Sequence, residues 1–228
     1  MGEKRGEKRS YGQHCTVARA LDVVGERWTL LMVRELSTGP KRFKDLIGGL
    51  PGIGTNLLAG RLKMLEGEGV VRRDTLPPPA GSNVYELTEL GRSLEPVIVA
   101  LSRWGARLVG AASEEDHSRA GWAMVALRSA FGTGPAGGRP GTYEFRIDGE
   151  TYYLLVGNGG EVEARQGVAP DPDLVVAGDA ETFLAVASGR LGPEEAVESG
   201  ALRVEGEHEE SREALPAFYR RVIGPTTA

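Results

Sequence analysis

Cysteine is almost missing from this chain: among 228 residues there is one, Cys15. A single thiol excludes an internal disulfide and with it the framework of a small secreted disulfide domain. His14 and His117 are too isolated to build a metal site with that cysteine, so no metal and no cofactor are expected. Long apolar runs are absent as well. Nothing here is long enough to cross a bilayer or to serve as the core of a signal peptide, and a reducing cytoplasm is the expected location. Catalytic signatures are also lacking. There is no nucleophile elbow, no phosphate-binding glycine loop ahead of a helix, and no carboxylate pair in an acid/base setting. Gly157, Gly159 and Gly160 read as turn formers, and the acidic runs at 114–116 and 207–210 read as solvated faces. No enzyme is expected.

What the chain does have is length for two cores and an uneven distribution of charge. The formal charge is −5. Residues 1–110 hold 17 Lys+Arg and 12 Asp+Glu, a balance of +5, which leaves 10 basic and 20 acidic residues, −10, for 111–228. Only the first half suits a phosphate backbone. The opening MGEKRGEKRS repeats GEKR and is expected to be a mobile arm. It is either a solvated tail or a phosphate contact through Lys4, Arg5, Lys8 and Arg9.

Val17, Ala20, Leu21 and Val24 recur at i, i+3, i+4 and i+7, which predicts a helix over 16–25 ended by Gly25. A second helix over 28–37 groups Leu30, Leu31, Val33 and Leu36, with Trp28 as a core anchor and Gly39-Pro40 as the stop. A short third helix over 43–47 turns Phe43, Leu46 and Ile47 inward, and a turn at 48–52 follows. The next helix starts near Gly54 or Thr55 and buries Leu58, Leu62 and Leu65. Thr55, Asn56, Ala59, Gly60 and Lys63 must then face outward.

That outward row of small, polar and basic groups fits a DNA groove. Thr55 and Asn56 at the helix start can bond base edges or phosphates, Arg61 and Lys63 can neutralise phosphates, and Lys41, Arg42 and Lys44 lie just upstream. Arg72 and Arg73 open a hairpin whose tip is 77–83, including Ser82 and Asn83, and Val84, Tyr85 and Leu87 return as its second strand. Helix, turn, helix, hairpin is the order of a winged helix-turn-helix. Gly60 inside an exposed helix costs about 1 kcal/mol relative to alanine, and close approach of the backbone to DNA would explain it. Thr88 is a candidate N-cap for a long helix carrying Leu94, Val97, Ile98, Leu101, Trp104 and Leu108 in one stripe. With the first helix this stripe suggests a homodimer interface. Packing of the second domain on it is the alternative.

CTVARALDVVGERWTLLMVREL, RFKDL, GIGTNLLAGRLKMLEGEGVV and VYELTELGRSLEPVIVALSRW together resemble the HxlR-type transcription regulators, over about residues 11–110. The marks are the Cys ahead of an Ala-Leu helix, Gly-x-Arg-Trp, Arg-Leu-x-x-Leu-Glu and Tyr-x-Leu-Thr-x-x-Gly. The resemblance implies a dimeric, MarR-like winged helix that binds double-stranded operator DNA. Thr16 stands where the family usually has proline, which alters how the first helix begins. Some HxlR-type regulators sense oxidants or electrophiles through a cysteine in this region. Cys15 sits where a helix macrodipole favours the thiolate, and a buried inert thiol is the alternative.

The second half begins with a helical linker over 113–131 and a Gly/Pro-rich loop over 132–141. Strands follow at 142–147 and 151–156, joined by the Asp148-Gly149 turn, then at 162–166 and 174–177. Helices over 180–188 and 193–199, a strand through Leu202 and Val204, and a last helix over 211–222 complete an α+β layer of antiparallel strands. Gly189, Leu191, Pro193, Ala196, Ser199, Gly200, Leu202, Val204 and Gly206 resemble the closing half of sterol carrier protein-like domains, over about 140–222. That resemblance implies a cavity for lipids. Leu154, Val156, Phe183, Val186, Leu202 and Phe218 are its candidate lining.

The expected organisation is therefore α+β: an arm at 1–10, an HxlR-type winged helix at 11–110, a linker and loop at 111–141, and a sterol carrier-like domain at 142–224. A DNA-binding regulator, expected to repress, with an apolar small molecule as effector is the function this implies. The alternative is a lipid or small-molecule carrier whose winged helix makes only protein contacts.

Overall fold

The computed structural model describes residues 10–76, 81–108, 110, 117–130, 140–159 and 161–205. The expected arm, the hairpin tip at 77–80, most of the loop at 132–141, the final helix and Phe218 lie outside the described residues. The chain divides into two compact units, one of Met1–Leu36 and Pro40–Ser93, the other of Ser37–Gly39 and Leu94–Ala228.

The first unit is built from α1 (Thr16–Val24), α2 (Thr29–Leu36), α3 (Phe43–Gly49), α4 (Thr55–Gly67), β1 (Val71–Thr75), β2 (Asn83–Leu87) and α5 (Glu89–Arg92). Met32, Val33, Leu36, Leu46, Leu58, Leu62 and Leu65 are all at or below 3% exposure, as are Val71, Val84 and Leu87 from the hairpin. Removing one of these leucines would cost about 2–5 kcal/mol. β1 and β2 pair antiparallel with Val71 opposite Leu87 and Thr75 opposite Asn83.

Three expectations change here. The apolar stripe of α1 exists, but Val17 (65% exposed), Leu21 (40%) and Ala20 face solvent, while Ala18 and Val24 are buried. In α2 the inward side is Thr29, Met32, Val33 and Leu36, with Leu31 exposed and Trp28 half-buried. Thr88 does cap a helix, accepting from the Gly91 N–H at 3.1 Å, but that helix is the single turn α5. The chain then turns and restarts as α6 (Glu95–Ala106) with Pro96 in its first turn. Proline has no N–H for an interior helical bond and its ring clashes with the preceding turn, so one long helix from Thr88 is broken there.

The second unit adds to α6 the helices α7 (Ala120–Ala130), α8 (Ala180–Ala187) and α9 (Pro193–Glu198), and the strands β3 (Gly141–Ile147), β4 (Glu150–Val156), β5 (Val162–Gln166), β6 (Leu174–Gly178) and β7 (Leu202–Glu205). Among the described residues the sheet has five strands in the order β5-β4-β3-β6-β7. Asp148 and Gly149 both have positive φ, 50° and 80°, the hairpin geometry whose twist matches the flanking strands. The sheet is mixed rather than antiparallel, since β3 and β6 run parallel, Tyr143 opposite Leu174 and Ile147 opposite Gly178. A parallel pair needs a crossover, and β4 with β5 supplies it.

The segment expected as a helical linker is part of this core: Met124 and Leu127 of α7 are fully buried against Phe145, Leu154, Val176 and Phe183. α6 packs on α7. There the Arg103 Nε donates to the Ser129 carbonyl at 2.7 Å, and Arg128 meets Glu95 at 2.6 Å. Of the expected α6 stripe only Ile98 is buried; Val97, Leu101, Trp104 and Leu108 are 43–67% exposed, and Leu94 is half-buried. No helix among the described residues is long and apolar enough to cross a membrane.

Candidate nucleic-acid interface

α4 presents its solvent face because its leucines face the other way. With Leu58, Leu62 and Leu65 fully buried, Thr55, Asn56, Ala59, Gly60 and Lys63 are exposed, as the spacing predicts. Gly54 caps the helix with an extended backbone and offers no side-chain acceptor, and the first turn holds no acidic residue. The first N–H groups of α4 are thus open to an anion, with the positive end of the helix dipole behind them. A methyl group at Gly60 would meet nothing within 4 Å, so the fold of the free chain does not require glycine there. Leu57, 40% exposed on the same first turn, is an apolar member of this face that sequence reasoning missed. The leucine spacing that assigns Leu58, Leu62 and Leu65 inward leaves Leu57 outside, so the signal was present.

The basic residues fall into two groups. Lys44 on α3 and Lys63 on α4 are exposed and, among the described residues, have no acidic partner. The arginines are engaged. Arg61 is half-buried and meets Glu26 at 2.7 Å, Arg72 meets Glu86 at 2.6 Å across the hairpin, and Arg73 meets Glu66 of α4 at 2.7 Å. The Arg73 guanidinium also lies over the Tyr85 ring, 5.2 Å from its centre. Lys41 is tied through its backbone to Tyr85, donating at 3.0 Å and accepting at 2.8 Å, which adds a bridge beside the hairpin. Arg42 precedes α3, where its N–H donates to the Asp45 carboxylate at 3.0 Å. Ser82 is half-buried and its carbonyl accepts from the Leu76 N–H; Asn83 is exposed and its side-chain oxygen accepts from the Thr75 hydroxyl at 3.3 Å.

Cys15 stands at the N-cap of α1 and is exposed, which excludes the buried thiol. The backbone N–H groups of Ala18 and then Val17 hold its thiol below the ordinary range.

In the second unit Leu154, Val156, Phe183, Val186 and Leu202 are each at or below 5% exposure and belong to one core cluster. They pack together in that cluster, where Phe145 meets Phe183 edge to face at 5.8 Å. An open cleft of about 560 Å³ lies at the end of β3, β4 and β5, bounded by Gly141, Thr142, Leu155, Val156, Glu161 and Val162.

The family profile described as HxlR-like helix-turn-helix matches residues 23–113. The regulator YvaP of Bacillus subtilis is 38% identical over 86 residues, which is 38% of this chain and 80% of that protein. This chain belongs to the HxlR-like helix-turn-helix family. The HTH-type transcriptional regulator YodB of the same organism is 39% identical over 85 residues, 37% of this chain and 76% of YodB. Reduced YodB, a solved structure, is 33% identical and aligns over 44% of this chain and 100% of its own, with a TM-score of 0.37. The profile of the SCP-2 sterol transfer family matches residues 139–213. The HxlR-like match runs through α6, whereas contacts group α6 with α7 in the second unit. α6 thus carries the end of the HxlR-like pattern while packing on α7 in the second unit.

Proposed function

We propose that this HxlR-like chain is a sequence-specific, DNA-binding transcriptional repressor that acts as a homodimer in the cytoplasm and carries no catalytic activity. The observation that carries the reading is the solvent face of α4: a positive helix end with no side-chain cap, Thr55 and Asn56 in its first turn, short side chains at Ala59 and Gly60, and a Lys63 with no acidic partner among the described residues. Such a face enters a major groove, where Asn56 and Thr55 reach base edges and Lys63 and Lys44 neutralise phosphates. Lys41, Arg42, Arg72, Ser82 and Asn83 flank it on the wing side. Arg61, held by Glu26, supports α4 from within the fold.

Exposed Val17 and Leu21 on α1, and Val97, Leu101, Trp104 and Leu108 from α6 onward, are apolar surfaces that a second copy covers. Dimerisation supplies two recognition helices for a two-fold symmetric operator. The exposed, low-pKa Cys15 serves as an oxidant-sensing position. The SCP-2-like unit binds an apolar small molecule or stabilises the dimer, and a ligand preferring one dimer arrangement would shift operator affinity by that preference alone.

The test is the salt dependence of binding to a duplex from the gene's own upstream region. Lys63→Ala should weaken binding and lower the slope of log K against log salt by about 0.9, the loss of one phosphate contact. An unchanged slope would remove Lys63 from the interface.

A further inference from the structure

Among the described residues, side chains that the regulator reading does not use fasten the wing to the recognition helix. Glu66 lies in the last turn of α4 and Arg73 in the middle of β1, with the turn Glu68-Gly69-Val70 between the two elements. Gly69 takes a left-handed backbone, φ 72°, so the chain reverses sharply there. Beyond that turn the Arg73 guanidinium reaches back to the Glu66 carboxylate at 2.7 Å. Its other contact is the Tyr85 ring of β2, directly opposite Arg73 in the hairpin register. Tyr85 in turn holds the backbone of Lys41 by two hydrogen bonds. Helix, both strands of the wing and the segment leading into α3 therefore meet at Arg73.

We infer that Arg73 and Glu66 are positioning residues that fix the wing against the recognition helix, and that Arg73 is not a phosphate contact. A guanidinium with a carboxylate on one side and an aromatic face beside it has its preferred partners already. A phosphate would have to displace the Glu66 carboxylate and would leave that negative charge beside the DNA. Arg72 is held in the same way by Glu86, 18% exposed, so the wing base offers the nucleic acid two neutral pairs. The lysines Lys44 and Lys63, unpaired among the described residues, remain for the phosphates. The pair is open to solvent on its Arg73 side, 63% exposed, so its effect should be that of an exposed ion pair.

This inference rests on the DNA-binding reading, and the experiment separates the two. Wild type, Glu66→Gln, Arg73→Ala and the exchanged pair Glu66→Arg with Arg73→Glu are titrated with a fluorescent duplex from the gene's own upstream region over a range of salt. Each single variant should bind more weakly by about two- to fivefold, with the salt slope of wild type. The exchanged pair should recover most of the loss, which a variant that merely damages the fold would not do, and melting midpoints should stay close to wild type. A slope lower by about 0.9 in Arg73→Ala would make Arg73 a phosphate contact and overturn the inference. Tighter, more salt-dependent binding by Glu66→Gln would overturn it too, because Glu66 would then mask the arginine. Unchanged affinity in both single variants would show that the contact positions nothing. A wild type without salt-dependent binding would remove the regulator reading and this inference together, and the wild-type titration alone reveals that outcome.

Discussion

Gly91 has no room for a methyl group: a Cβ built there would lie 2.1 Å from the carbonyl oxygen of Val70, a backbone atom that cannot swing away. Thr88 closes the same corner, its hydroxyl donating to the Gly69 carbonyl at 2.5 Å and accepting from the Gly91 N–H. Gly91→Ala should therefore destabilise the first unit by about 1–3 kcal/mol, seen as a lower urea midpoint at unchanged slope. A wild-type midpoint would mean that the corner yields. In the sequence Gly91 stands only as the glycine of Tyr-x-Leu-Thr-x-x-Gly, because nothing local reports that a carbonyl from a residue far back in the chain will pack on it. Cys15 was legible to a different degree. Its place ahead of a helix suggested a favoured thiolate, and the structure supplies the N–H groups of Ala18 and Val17 as the cause and the exposure that makes the thiol accessible. With its pKa depressed, the thiolate persists to lower pH than that of an ordinary cysteine. Alkylation of Cys15 should thus rise with pH earlier than that of an unstructured cysteine peptide followed alongside; coincident profiles would contradict this. The arginine partners were not legible at all, since Glu26, Glu66 and Glu86 reach Arg61, Arg73 and Arg72 only once the chain has folded.

α4 is the element the sequence specified best. Leu58, Leu62 and Leu65 leave one inward face, and every residue expected to face outward does. Its single anomaly, Gly60, gives a test in which stability and function part company. With nothing within 4 Å of the added methyl, Gly60→Ala should stabilise the free protein by about 1 kcal/mol through helix propensity. If the backbone at Gly60 approaches DNA, the same change should weaken binding. An alanine variant that is more stable and binds as well as wild type would refute close approach. The expected long helix after Thr88 failed because its apolar stripe continues through the break, and periodicity alone does not register Pro96 as a restart. The parallel pairing of β3 with β6 was also beyond reach, because a short apolar strand such as Leu174–Gly178 carries no mark of its direction.

At the scale of the whole chain, two cores and two opposite charge balances are expected from length and composition, and contacts divide the chain into two units, with the division after Ser93 rather than near residue 110. The apolar residues that sequence periodicity assigned to helix faces split into a buried set and an exposed set, and the exposed set is what a homodimer needs. Replacing Leu101 or Trp104 by aspartate should convert a dimer in solution to monomer, read from light scattering behind a sizing column. A mass equal to wild type would move the interface elsewhere. Binding of the wild-type protein to a duplex from its own upstream region, compared with a scrambled duplex from roughly 50 to 200 mM salt, decides whether the protein reads DNA sequence. The regulator account requires tighter binding to the upstream duplex, with affinity falling steeply and linearly in log salt on both. Equal affinity for the two duplexes, extended to wider genomic DNA with the same result, would contradict it and leave the winged helix to serve protein contacts.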